Sequence, residues 1–204
     1  LAIFGNTADG SGEGDMDTDR IRGGDYTPVD GNGTADSISV RLKRTSAGNT
    51  TFKCALYNHA TNALVGSTEE RVLTLTTSYA WYTFNFTDPK PAIVNGTLYV
   101  IVVWVDFVSV YNWLAYSGGA GATDHYRDGT YGAWPNPITF NHYSYSNPCI
   151  YCTYTLGGAG VTIKKGSCVP AMTALLNKFS ALKQPREPRF QPRTFPKFTP
   201  RSLV

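Results

Sequence analysis

The chain has 204 residues, of which 42% are hydrophobic, 13% aromatic and 16% charged. Such a length holds one ordinary domain with a true core plus an appendage, and the low charge excludes a chain disordered throughout. The net charge of +3 hides a split: residues 1–163 carry 9 Lys/Arg against 14 Asp/Glu (net −5), and residues 164–204 carry 9 against 1 (net +8).

In chain order, residues 1–163 read as short strands separated by turns, the pattern of an all-β sandwich or barrel. Ile38, Val40 and Leu42 alternate with Ser39, Arg41 and Lys43. Phe52, Cys54 and Leu56 alternate with Lys53, Ala55 and Tyr57. Further strands are expected over 71–76, 81–86, 98–106 and 148–155. The run from Leu98 to Val105 is apolar at all 8 positions, too short to cross a bilayer. It predicts a central strand covered on both faces. Asp-Gly, Asn-Gly, Gly-Gly and Asp-Pro steps mark turns, and no segment before 169 has helical periodicity.

Beyond Gly157-Gly-Ala-Gly160 the character changes. Met172, Leu175, Leu176, Phe179 and Leu182 recur at helical spacing, predicting a short amphipathic helix from near Pro170 within a 164–183 linker. In 184–204, proline at 185, 188, 192, 196 and 200 forbids helix and favours an extended or polyproline-II arm. There Phe190, Phe195 and Phe198 interleave with Arg189, Arg193, Lys197 and Arg201. Such an arm cannot offset its ordering entropy alone, so it is expected to order by docking, with Phe179 and these residues as its contacts.

Four N-x-S/T sequons, at Asn32, Asn49, Asn85 and Asn95, lie beside turn signals or, for Asn85, on the strand face opposite Tyr82, Phe84 and Phe86. All four are thus expected to be exposed and open to N-glycosylation, which implies an extracellular location. The first residues include no initiator Met and no signal-like pattern, so Leu1 reads as either a processed terminus or a chosen start.

The cysteines are Cys54, Cys149, Cys152 and Cys168. Cys149 and Cys152 have CxxC spacing but fall in a strand-like run, where positions three apart face opposite ways. No second CxxC or His pair completes a zinc site. The expectation is therefore disulfides, one of the pair reaching Cys54 and the other Cys168, with a buried free thiol at Cys54 as the alternative.

The runs Thr34-Ala-Asp-Ser-Ile-Ser-Val-Arg-Leu, Phe52-Lys-Cys-Ala-Leu-Tyr-Asn, Ala80-Trp-Tyr-Thr-Phe-Asn-Phe, Asn95-Gly-Thr-Leu-Tyr-Val-Ile-Val-Val-Trp and Tyr131-Gly-Ala-Trp-Pro-Asn-Pro carry a resemblance. Residues 1–156 resemble the jelly-roll β-sandwich of archaeal surface proteins, phage structural proteins and carbohydrate-binding modules. The resemblance implies a jelly-roll fold and no particular activity. Such modules often hold a structural calcium near the first strands, and Asp15, Asp17 and Asp19 alternate as at the start of an EF-hand loop. Arg20 stands where that loop needs Gly, and its final Glu is missing.

Catalysis is not expected, because His59, His125 and His142 show no HxxxH or HExxH spacing and no nucleophile elbow or phosphate loop occurs. Residues 106–146 hold 10 of the 27 aromatics. Among them Trp113, Trp134 and Tyr131 are candidates for stacking on sugar rings. Nucleic acid is a disfavoured partner, since the arm's charges are spaced by prolines. The acidic body offers that arm a better one. Together these features predict a non-enzymatic structural subunit that self-assembles into an extracellular filament, sheath or surface layer, its arm docking on neighbouring copies. A virion capsid or decoration protein and a carbohydrate-binding adhesin module are the alternatives.

Overall fold

The computed structural model describes residues 1–16, 19–106 and 111–157, without the side chains of 119–122 and 143–145. The expected helix near Pro170, Cys168, Asp17 and the whole basic arm lie outside the described residues. What is described is all-β, with no helix among these residues.

The strands in chain order are β1 (Ala2–Gly5), β2 (Gly12–Asp15), β3 (Ile21–Tyr26), β4 (Gly33–Arg44), β5 (Gly48–Asn58) and β6 (Leu64–Leu75). They continue as β7 (Ala80–Asn85), β8 (Ala92–Ile93), β9 (Tyr99–Asp106), β10 (Asn112–Arg127), β11 (Asn141–Pro148) and β12 (Ile150–Leu156). All pairings are antiparallel, and the strands form two sheets. One runs β1, β12, β4, β7, with β8 beside the start of β4. The other runs β6, β5, β9, β3 and the second half of β10, with β11 beyond it. The first half of β10 lies against β2 and the end of β4, so this one long strand belongs to both sheets.

The alternation expected in β4 and β5 fills the space between the sheets. Ile38, Val40 and Leu42 face Phe52, Cys54 and Leu56, together with Phe84, Ile101, Val103, Ile150, Cys152 and Tyr154. The outward side of β4 is buried too, through hydroxyl pairs: Ser37 with Thr153 at 2.7 Å and Ser39 with Thr83 at 2.8 Å. On β6, Glu69 and Glu70 do point opposite ways, the first to Asn85 and the second to Tyr131.

Strand β9 is the centre of the second sheet, and every residue from Tyr99 to Val105 is buried. Its inner face meets the sandwich core. Its outer face (Val100, Val102, Trp104) is covered, with Tyr57 and Ile21, by Tyr131, Trp134, Ile138 and Phe140 of an irregular segment. Hydrogen bonds hold that cover down: Tyr57 Oη donates to Pro135 O (2.9 Å), and the Ile138 N–H donates to Asn62 O (3.0 Å). Close strand packing also dictates Gly23, where a Cβ would come within 1.8 Å of Ile101 O.

A buried ion pair lies within the second sheet, and its arginine also reaches the first. Asp124 on β10 is fully buried and accepts from Arg22 on β3 (3.0 Å to Nε, 2.5 Å to Nη2) and from the Ser146 hydroxyl (2.9 Å). Arg22 Nη1 also donates to Asp15 O on β2, which belongs to the other sheet (3.0 Å).

The expected disulfides to Cys54 are absent: Cys54, Cys149 and Cys152 are buried free thiols. Cys54 and Cys152 each fill a core position of their own sheet, and burial pushes both thiols well up. Cys149 lies at the step between β11 and β12, with the Asn6 amide 3.8 Å from its sulfur. Thiols held protonated in this way are inert, and they say nothing of an oxidising compartment.

Phe52→Ala should lower the unfolding free energy by about 3–5 kcal/mol through loss of burial and a residual cavity. Val72→Ala, at a side chain that is 67% exposed, should change it by less than about 0.5 kcal/mol. Denaturant titration of both variants checks the pair.

Candidate functional site

Three sequence-predicted groups are placed by the sheets. The sequon asparagines Asn32, Asn49, Asn85 and Asn95 are all exposed. In Asn49 and Asn95 the side-chain oxygen accepts a hydrogen bond, from Thr74 and from the Gly31 N–H. Asn85 differs, since its amide nitrogen donates to Glu69 Oε1 at 3.0 Å.

The aromatic candidates separate. Tyr131 and Trp134 close on Trp104, with ring centroids 5.2 and 5.1 Å away, and all three surround the Lys53 ammonium. Lys53 Nζ lies 4.2 Å from the Tyr131 ring, 4.7 Å from Trp104 and 5.4 Å from Trp134, and it donates to Gly132 O. Burial lowers the Lys53 pKa, against the opposing pull of Glu70 and Asp106. The protein's own cation thus fills this aromatic box. Trp113 lies elsewhere, stacked on Tyr111 with centroids 6.3 Å apart and planes at 26°, and Tyr111 is 51% exposed.

The acidic loop is drawn into ion pairs and hydrogen bonds. Asp15 pairs with Arg20 at 3.5 Å, and Asp19 Oδ2 accepts the Tyr131 N–H at 3.3 Å. Asp9 and Glu13 pair with Arg41 and Lys43 of β4.

The constellation that the sequence did not announce lies on the outer face of the second sheet. All three histidines of the chain meet there. His125 and His142 are direct cross-strand partners on β10 and β11, so their side chains share a face. Their ring centroids are 4.6 Å apart at an interplanar angle of 83°. His59 stands just past β5 in a turn, two residues beyond Tyr57, which keeps it on the outer face, and its ring is 5.6 Å from His125. Asp25 on β3 lies two positions beyond Gly23, the partner of His125, and its Oδ1 is 3.8 Å from His125 Nε2. The three histidines line a cleft of about 300 Å³ with Asn62, Thr139 and Phe140.

His125 is the unusual member. It is only 2% exposed, and neither ring nitrogen has a hydrogen-bond partner. Each buried, unsatisfied nitrogen costs about 1–3 kcal/mol. Burial works to raise the Asp25 carboxyl, but the His125 ring and the Thr123 N–H outweigh it, and the group sits below the ordinary carboxylate range. His142 is pushed below the ordinary imidazole value, first by loss of solvent and then by the charges of His125 and His59, with Asp25 opposing.

The His142 shift has a sign that can be measured. Because its folded pKa lies below the unfolded value of 6.5, the unfolded chain takes up the proton first on acidification. The associated stability is complete above that value and is lost as pH falls through it. The Tm should therefore drop between pH 7.5 and pH 5.5, and His142→Gln should flatten that drop, as read by thermal unfolding of both proteins. Comparison of the chain with protein-family models and with curated proteins finds no match.

Proposed function

We propose that the chain is a non-enzymatic structural subunit that assembles with copies of itself into an extracellular filament, sheath or surface layer. Its sandwich is of the jelly-roll type, as the resemblance of residues 1–156 implies, and the basic arm of one copy docks on the acidic sandwich of the next. The observation that carries this reading is the disposition of charge. Arg20, Arg22, Arg41, Lys43, Lys53 and Lys90 each have an acidic partner within the sandwich. Asp30 and Asp88 on one side, and Arg44, Arg71 and Arg127 on the other, have no ion-pair partner among the described residues, so the acidic surplus is that of the count, 14 Asp/Glu against 9 Lys/Arg over residues 1–163. The surplus acid attracts a tail of net +8. Charge steers such a contact, while the arm's phenylalanines supply its affinity. An arm that reaches a different surface on the next copy makes a heterologous contact, which propagates into open assemblies.

The exposed sequons support an extracellular place. No helix among the described residues is long and apolar enough to cross a membrane. A carbohydrate-binding role is the second reading, favoured by the outward Tyr111–Trp113 stack, which offers the flat apolar face that a sugar ring needs.

Removal of residues 184–204 should leave a folded protein that no longer assembles, as seen by circular dichroism and electron microscopy. Assembly unchanged by the truncation would overturn the arm contact. Micrographs of the full chain also separate a filament or layer from a virion shell. In a glycosylating host, glycopeptide mass spectrometry should find Asn49 and Asn95 more fully occupied than Asn85, whose amide is engaged by Glu69. Retention on a glycan array that disappears with Trp113→Ala would instead favour the binding module.

A further inference from the structure

We propose that Asp25, His59 and His125, with His142 as the fourth donor, form a binding site for a divalent transition-metal ion of the zinc class. The donor atoms of Asp25, His59 and His125 all lie within 4.8 Å of one another. Nitrogen and oxygen donors around tetrahedral zinc stand about 3.3–3.5 Å apart, given bonds of about 2.0–2.2 Å. Contraction by up to about 1.5 Å brings these three donors to that spacing, and His59 is in a turn where such an adjustment needs no change in sheet register. His142 is not in that group of three; its ring centroid lies 4.6 Å from that of His125, and it joins by turning into the cleft that it lines.

The second observation is independent of proximity. His125 is almost wholly buried beside the cleft with both ring nitrogens unpartnered, and a coordinated metal gives one of them a partner. Three imidazoles and one carboxylate select zinc, cobalt or nickel over calcium or magnesium, which require oxygen shells. Three histidines and an aspartate also close a tetrahedron, the arrangement of a structural site. The ion would clamp β3, β10, β11 and the turn after β5, four segments with no disulfide among the described residues to cross-link them. Half-exposed His59 and exposed His142 leave the cleft open for entry. This site stands apart from the arm and does not depend on the assembly proposed above.

Full-length protein without a polyhistidine tag is titrated with Zn²⁺ and, separately, with Co²⁺. The expected result is one equivalent bound, with a visible d–d band for Co²⁺, competition by Zn²⁺ and none by Ca²⁺ or Mg²⁺. His59→Ala and Asp25→Asn should each weaken binding by at least about tenfold, and His142→Ala should also weaken it. His125→Ala sits at a buried position, so the decisive variants are His59→Ala and Asp25→Asn, checked for retained strand content by circular dichroism. Zn²⁺ should raise the Tm of the unaltered chain and not that of His59→Ala. Failure of the unaltered chain to bind, or binding unchanged in both decisive variants, would overturn the site.

Discussion

The fold hangs on strand β9, because seven successive buried residues require a dry cover on both sides. Backbone in the middle of a sheet is satisfied by its neighbours β3 and β5, so only the side-chain faces remain to be solved. The inner face is solved by the opposing sheet. The outer face is solved without a third sheet or a helix, by aromatic and aliphatic side chains of a segment with no regular structure. Each apolar side chain so buried is worth about 1.5–3 kcal/mol. That gain justifies ordering an irregular chain, and the bonds from Tyr57 and Ile138 fix where it lies.

The same cover has consequences for chemistry. It ends in Phe140, whose ring meets both Tyr57 and His125, and the chain then enters β11 with His142 opposite His125. Covering β9 thus delivers one histidine to another, beside a third at the end of β5. The segment also brings Tyr131 and Trp134 over Trp104, where Lys53 is enclosed. A hydrophobic requirement therefore builds two polar environments: an enclosed ammonium, and an imidazole cluster at the margin of the covered face.

On the opposite side of β10, the Arg22–Asp124 pair is buried, and Arg22 also reaches β2. A buried ion pair adds little net stability, because desolvation cancels much of the attraction. Its partners are nonetheless fixed by geometry, and Gly14 is shaped to it: a Cβ there would come within 2.9 Å of Arg22 Cζ. The pair sits directly after the irregular stretch between Gly118 and Thr123, where β10 passes from one sheet to the other. Inward charge at this point and inward apolar residues elsewhere give the sandwich a single register. The sandwich is acidic overall because residues 1–163 carry 14 Asp/Glu against 9 Lys/Arg.

The sequence by itself determined the all-β class, because period-two alternation at Ile38–Leu42 and Phe52–Leu56 is a local property. It also determined the two-sided burial of β9, since a continuous apolar run has no polar face to show water. The exposure of the four sequons was equally legible, three beside turns and Asn85 across the strand from Phe84 and Phe86. Strands β2, β3, β10 and β11 were not legible, being rich in glycine, charge and polar aromatics that local propensity assigns to loops, and β1 is only four residues long. Tertiary structure alone decided that Cys54, Cys149 and Cys152 stay free, since bridging depends on which sheet each thiol faces. It alone decided that β9 is capped by an irregular segment. And it alone assembled Asp25, His59, His125 and His142, whose separations along the chain carry no motif. Cross-strand register, a long-range property set by the packing of whole strands, placed those four side chains on one face.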